Sequence, residues 1–227
     1  MKNIMPSRTV ESSQTGIHDN LELLVVKHTQ TEYLRPIPDF SRLAFQEFER
    51  CFAGSGKSCI ILDSCCGTGE STLHLAMQHP DCFVVGVDKS AHRLGKHSVS
   101  AAGSEFFKAN NYTVLRADVE DFWRLASNYS SRIMKHCIFY PNPYPKPHHI
   151  MRRWHGHPLF VPMLRLAPET ELRTNWRIYA EEFAFASLLL GYKARLQEMG
   201  DIQPVSAFER KYQASGHALF QVVVRQP

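Results

Sequence analysis

The sequence lacks several features that would assign it to common classes. No stretch approaches the roughly 18 consecutive apolar residues of a membrane-spanning helix, so no membrane span is expected in its 227 residues. Lys2 is not followed by an apolar segment of the secretory kind, and a cytoplasmic location is the expectation. The six cysteines include no Cys-x-x-Cys pair, so neither a disulfide framework nor a zinc ribbon is expected. Cys59, Cys82 and Cys137 sit in runs that read as buried strands, where a thiol packs as a small apolar group. Cys51 falls near a helix end, and Cys65 and Cys66 are neighbours in a turn. There is no internal repeat and no low-complexity tract. At 44% hydrophobic and 21% charged residues, the composition is that of an ordinary globular chain, long enough to bury one large core.

One absence is local. Residues 122–168 contain no Asp or Glu, yet hold seven of the 26 Lys and Arg residues: Arg124, Arg132, Lys135, Lys146, Arg152, Arg153 and Arg165. Five of the 12 histidines fall there too, and outside the segment the 22 acids outnumber the remaining bases. The net charge of +4 is thus concentrated, as on a face that meets phosphates; chance clustering on a solvated surface gives the same pattern.

What is present is organised around residues 59–70. Cys59-Ile60-Ile61-Leu62 is too short for a helix and is closed by turn residues, so it reads as a buried strand ending at Asp63. Gly67 and Gly69 let the backbone approach a ligand where a side chain would collide. Residues 71–79 carry helix formers with Leu73, Ala76 and Met77 on one face and Pro80 as the stop. Strand, glycine turn and helix open a nucleotide-binding α/β unit. A dinucleotide fingerprint wants a third glycine where Thr72 stands, and Glu70 competes with a phosphate for the helix N-terminus. Cationic, phosphate-free S-adenosylmethionine fits better, with Asp63 holding its ammonium group. A purely structural turn is the alternative.

Two further strands end in acids. Residues 82–88 form a buried strand closing on Asp88, about 20 residues from the glycine turn, where an acid accepts from ribose hydroxyls; a helix cap for residues 90–99 is the other role. Residues 112–117 lead to Asp118, placed either to accept from an adenine amino group or to cap a helix over 119–127. Residues 136–140 are the fourth strand, 171–176 a fifth, and 217–224 the last. Helices are expected over 40–52 (buried face Phe40, Leu43, Ala44, Phe48 and Phe52, with Ser41 at its start), 158–166 and 177–191, the last a core helix including Leu188 and Leu189. The start of the chain is dense in small and polar residues (Ser7, Ser12, Ser13, Gln14, Thr15 and Gly16) and reads as mobile. The expected division is 1–54, arm and packing helix, and 55–227, the catalytic domain.

The fourth strand runs into Pro141-Asn142-Pro143-Tyr144-Pro145-Lys146-Pro147-His148-His149. Four prolines in seven residues fix φ and hold side chains at little entropic cost. This loop leads to Arg152, Arg153 and Trp154.

The glycine turn with its acids, this loop and the tail Ser206-Ala207-Phe208-Glu209 resemble the bacterial tRNA (guanine-N7)-methyltransferase family, whose loop usually reads PDPWPKxRHxKRR. The resemblance covers roughly residues 58–224. It implies a Rossmann-like, doubly wound α/β fold with a mostly parallel seven-stranded sheet and helices on both faces. It also implies S-adenosylmethionine as cofactor and tRNA as partner, held by the basic segment, in a monomer or small homo-oligomer. Asp63, Gly67, Gly69, Asp88 and Asp118 become cofactor positions, and Asn142 a cofactor and catalytic position. Lys146, His149, Arg152, Arg153, Asn175, Ser206, Phe208 and Glu209 become substrate positions. The family aspartates of the PDP and TD elements are amides here, Asn142 and Asn175. An amide oxygen still accepts from a guanine edge, but without charge, at a loss of about 1–2 kcal/mol per hydrogen bond in a dry pocket.

Rival readings are a small-molecule methyltransferase on the same fold and a cofactor-binding protein with little catalysis. Zinc at His148, His149, His155 and His157 lacks a cysteine partner at ligand spacing. A nucleophilic Cys65 or Cys66 lacks a helper base.

Overall fold

Apolar runs bounded by glycine, proline and acids become strands, and the amphipathic stretches between them become helices. The computed structural model describes residues 7–96 and 110–227. In chain order the described elements are α1 (Leu21–Thr29), α2 (Asp39–Gly54), β1 (Cys59–Ser64), α3 (Glu70–Gln78), β2 (Cys82–Asp88), α4 (Ala91–Leu94), β3 (Tyr112–Arg116), α5 (Val119–Ala126) and β4 (Ile133–Phe139). They continue with α6 (Phe160–Leu164), β5 (Glu169–Thr174), α7 (Arg177–Leu189), β6 (Lys193–Met199), α8 (Ala207–Ala214) and β7 (Leu219–Arg225). The seven strands lie in the order β3-β2-β1-β4-β5-β7-β6. Pairs β1–β2, β1–β4 and β2–β3 are parallel, while β7 runs antiparallel to both its neighbours. The expected Rossmann-like α/β sheet is the observed fold.

The chain packs as two compact units. One holds Arg35–Phe139 with Arg165–Pro168, so α2 belongs with the glycine turn; the other holds the chain up to Leu34, Tyr140–Leu164 and Glu169–Pro227. In the first, α2 buries Phe45, Phe48 and Phe52. Phe45 and Phe48 meet Phe122 of α5, and Phe52 meets Phe83 of β2, at centroid distances of 5.2, 5.6 and 5.9 Å. The buried stripe therefore runs through Ser41 and Phe45, and the expected Phe40 and Leu43 are exposed on its flank. Ser41 does not cap α2, which starts after Pro38; its buried hydroxyl donates to Asp121 Oδ2 at 2.9 Å. Of the helix expected over 90–99, Ala91–Leu94 is observed and residues 97–99 lie outside the described residues.

Cys59 and Cys82 form a disulfide, which corrects their reading as separate buried thiols. They are direct partners in the parallel β1–β2 register, with Cα atoms 4.8 Å apart. Their separation of 23 residues carries no sign of that pairing.

In the second unit α7 packs on β6 and β7, with Ala180, Phe183 and Ala186 fully buried. Leu188 and Leu189, expected in the core, are exposed in the last turn of α7. Ser7 and Ser12, in the stretch expected to be mobile, are hydrogen-bonded within this unit: the Ser7 N–H donates to Ser215 Oγ at 2.8 Å and Ser12 Oγ to the Pro145 carbonyl at 2.5 Å.

Candidate active site

Asp63 ends β1 and is fully buried. Its Oδ2 accepts from the Ser71 and Thr72 hydroxyls, each at 2.7 Å, both from the first turn of α3. Its Oδ1 has no partner among the described residues. Burial pushes the Asp63 carboxyl up to about 6, against the two hydroxyls that lower it. A buried acceptor left open is costly unless a ligand completes it. The turn that follows has Gly67 at φ 61° and Gly69 at φ 75°, and also Cys65 at φ 63°, a conformation costly for a residue with a side chain. The Gly67 N–H donates to Asp88 Oδ2 at 3.0 Å. Asp88 Oδ1 accepts from the Ser90 N–H at 2.8 Å and pairs with Arg93 at 3.2 Å. Asp88 thus pins the turn and the start of α4 together.

Gly86, not among the expected site residues, belongs to this cradle. A Cβ there would lie 2.2 Å from Thr72 Oγ1 and 3.1 Å from Cys66 Sγ. The close approach of helix and strand that a third glycine in the helix would give is supplied here from the strand, which leaves Thr72 free to hold Asp63. The signal in the sequence is a lone glycine in a buried strand.

Asp118 stands at the N-cap of α5 but makes no cap hydrogen bond. Its Oδ2 pairs with Arg35 at 3.0 Å, and the same guanidinium reaches Glu120 and Asp121 at 3.2 Å each. Ser64 and His136 are hydrogen-bonded at 2.8 Å, and Trp123 Nε1 donates to the same Ser64 hydroxyl at 2.8 Å. Ser64 and His136 are fully buried, so they satisfy core polar groups and do not form an accessible nucleophile and base. Burial and nearby carboxylates raise the Cys65 thiol to about 12 and lift Cys66 well above its ordinary value, which suppresses thiolate chemistry at the turn.

The proline loop lies in the second unit. Tyr140 and Tyr144 have φ of 52° and 44°, so the chain bends sharply at both. Asn142 is exposed, and its Oδ1 accepts from the Tyr144 N–H at 3.2 Å. Lys146 and Arg152 are exposed. The Arg152 guanidinium lies 5.9 Å from the Tyr144 ring centroid, and the His149 ring 6.0 Å from it. Partial desolvation, then the positive charges of Arg152, His148, Lys146 and Arg153, hold His149 below its ordinary value. His217 Nε2 lies 3.0 Å from the Ser7 carbonyl, so it carries the proton, and Nδ1 accepts from Asn175 Nδ2 at 3.1 Å. This leaves the Asn175 carbonyl oxygen as the group turned away from the ring.

Three expected substrate positions are engaged in bonds within the protein. Arg153 is fully buried, with its guanidinium bound to Glu182 at 2.6 Å and stacked 4.7 Å from the Trp176 centroid; it is withheld from any phosphate. Ser206 caps α8 by accepting from the Glu209 N–H at 3.2 Å. Glu209 Oε2 in turn accepts from the Val205 N–H at 2.7 Å, in the manner of a capping box. The remaining Glu209 oxygen is buried against Tyr140 Oη at 2.8 Å and Arg173 at 3.0 Å. Of that tail element Ala207 and Phe208 are exposed, and Phe208, at 37%, presents a ring.

Comparison with known proteins agrees with this geometry. A family model described as "Putative methyltransferase" matches residues 57–222. A solved structure titled "Structure of an antibiotic related Methyltransferase" superposes with a TM-score of 0.58 at 16% identity, covering 87% of this chain and 97% of that one. The 16S rRNA (adenine(1408)-N(1))-methyltransferase of Catenulisporales acidiphilia, solved as a variant with cosubstrate SAM, superposes at 0.55 and 16% identity over 79% of this chain and 89% of its own. The molecule is a methyltransferase of the Rossmann-like class. The tRNA (guanine-N(7)-)-methyltransferase of Leifsonia xyli subsp. xyli is 30% identical over 171 residues, which span 70% of this chain and 72% of that protein. The chain belongs to the tRNA (guanine-N7)-methyltransferase family.

Proposed function

We propose that the chain binds S-adenosylmethionine and methylates N7 of a guanosine in tRNA, acting in the cytoplasm as a monomer or small homo-oligomer. The observation that carries the cofactor half is Asp63, a buried carboxylate with one oxygen open beside a glycine turn. An anionic acceptor suits an ammonium group and repels a phosphate. Gly67 and Gly69 give the backbone room beside the ligand. Asp88 Oδ2 keeps one lone pair for a ribose hydroxyl beyond the bond that pins the turn, and Asp118 retains Oδ1 for an adenine amino group. When bound, S-adenosylmethionine would supply an electrophilic methyl group on its sulfonium, to be taken in line by an acceptor nitrogen lone pair as the methyl–sulfur bond breaks and the sulfur leaves as a neutral thioether.

Guanine N7 carries its lone pair at neutral pH, so the protein needs no base and contributes positioning. The activity for which the relatives are named supports the acceptor. Asn142 and Asn175 then accept from the guanine edge, Phe208 offers a ring for stacking, and Lys146, His149 and Arg152 meet the phosphates. Incubation with labelled S-adenosylmethionine and tRNA lacking its own N7 methylation, followed by nucleoside analysis, is expected to give N7-methylguanosine. Label on another nucleoside would change the target, and label on small acceptors alone would overturn the RNA reading.

A further inference from the structure

A loop with prolines at 141, 143, 145 and 147 has few backbone donors with which to hold itself, because every second residue lacks an N–H. Its carbonyls must find donors elsewhere. Three consecutive ones accept from side chains outside the loop, and that of Lys146 also accepts from the His149 N–H at 2.9 Å. Arg153 Nε donates to the Tyr144 carbonyl at 3.2 Å, Ser12 Oγ to that of Pro145 at 2.5 Å, and Arg153 Nη2 to that of Lys146 at 3.4 Å.

Arg153 is itself held. Its Nη1 donates to Glu182 Oε2 at 2.6 Å and its Nη2 to Gln14 Oε1 at 3.0 Å. Glu182 is saturated: Oε2 also meets His155 Nε2 at 2.8 Å, and Oε1 accepts from Gln14 Nε2 at 2.5 Å and the His18 N–H at 2.9 Å. Every second residue from 10 to 18 is half-buried while those between are exposed, so the arm lies extended with one edge on the protein.

We infer that the arm segment 12–18, through Ser12 and Gln14, is a positioning clamp that fixes the proline loop from behind so that Asn142, Lys146 and Arg152 are presented in one geometry to the acceptor. The inference rests on the proposed reading for what the loop presents; the clamp itself rests on the hydrogen bonds. Ser12 and Gln14 are positioning residues: they touch the loop backbone and Arg153, not the reacting atoms. A loop released by even 1 Å can cost on the order of a hundredfold in rate.

The test compares Ser12→Ala, Gln14→Ala and Ser12→Thr in the full chain. Three readouts are taken: kcat and KM for tRNA methylation, the Kd for S-adenosylmethionine, and hydrogen exchange of amides in 144–152. The two alanine variants are expected to exchange faster in the loop and to lose at least about tenfold in kcat with cofactor Kd unchanged. Ser12→Thr, which keeps the hydroxyl, restores both. Loop exchange identical to wild type overturns the clamp, as does a parallel loss of cofactor binding, which marks general destabilisation. If the unaltered protein methylates no RNA while loop exchange still responds to Ser12→Ala but not Ser12→Thr, the acceptor reading fails and the clamp stands.

Discussion

Asp63 shows how one residue's surroundings set its task. Fully buried, with one oxygen satisfied twice and the other open, its carboxyl is raised to about 6 mainly by desolvation. Its folded pKa exceeds the unfolded value, which lies near 4. The protonated form therefore contributes stability below that value, and this is lost as pH rises through about 6. A cationic ligand requires the ionised form. Affinity for S-adenosylmethionine is expected to fall about tenfold per pH unit below about 6; calorimetric titration from about pH 5 to 8 checks it. Asp63→Asn should bind weakly at every pH and lose that dependence while raising the apo melting temperature near pH 8. A pH profile unchanged in the variant would place the ammonium elsewhere. The acid is legible in the sequence as a strand end, but its open oxygen is not, because that depends on how many hydroxyls α3 brings to it.

At the scale of elements, strand–turn–helix β1–α3 is readable from short-range pattern alone. Its packing is not. Gly86 on β2 admits Thr72, and Gly86→Ala puts a methyl group where that side chain sits. The expected result is destabilisation of about 1–3 kcal/mol from overpacking with weaker cofactor binding, since Thr72 leaves Asp63. Denaturant unfolding of the apo protein and titration of the cofactor measure the two. Gly86→Ala combined with Thr72→Ala removes both the hydroxyl 2.2 Å and the methyl 3.0 Å from the added Cβ and should recover part of the stability, though not the hydrogen bond to Asp63. Elements with weak local signals escape sequence reading, among them α1, α8 and β6. In α1, Leu23 and Val26 are exposed beside buried Leu21 and Val25, so no single apolar stripe marks it. The β6 residues are mostly exposed on both faces, which removes the alternation that identifies a strand. In α8 the Ser206–Glu209 pair is a helix start, and family likeness marks it as a substrate element instead.

For the whole molecule the question is which charges meet RNA. The acid-free segment contributes Arg132, Lys146, Arg152 and Arg165 as exposed bases, divided between the two units, while Arg153 is consumed in the interior. Binding to tRNA is expected to weaken steeply with salt, and each phosphate no longer neutralised by a base should reduce the slope of log K against log salt by about 0.7–0.9. Arg152→Ala is therefore predicted to lower the slope by about that amount, measured by filter binding at several salt concentrations; an unchanged slope would remove Arg152 from the interface. Among the described residues no helix is long and apolar enough to cross a membrane. Sequence alone determined the alternation of strands and helices, the acids at three strand ends and the position of the proline loop, because these follow from periodicity and from residues with restricted φ. Tertiary structure decided which polar groups remain open and which are used up. Arg153, Ser206 and Glu209 look like ligand-binding residues in one dimension, yet satisfy buried partners up to 139 residues away. Cys59 and Cys82 become a bonded pair only because β1 and β2 align in register. Hydrogen-bond satisfaction and register are set by what the fold brings alongside a residue, and the neighbours in the chain do not specify them.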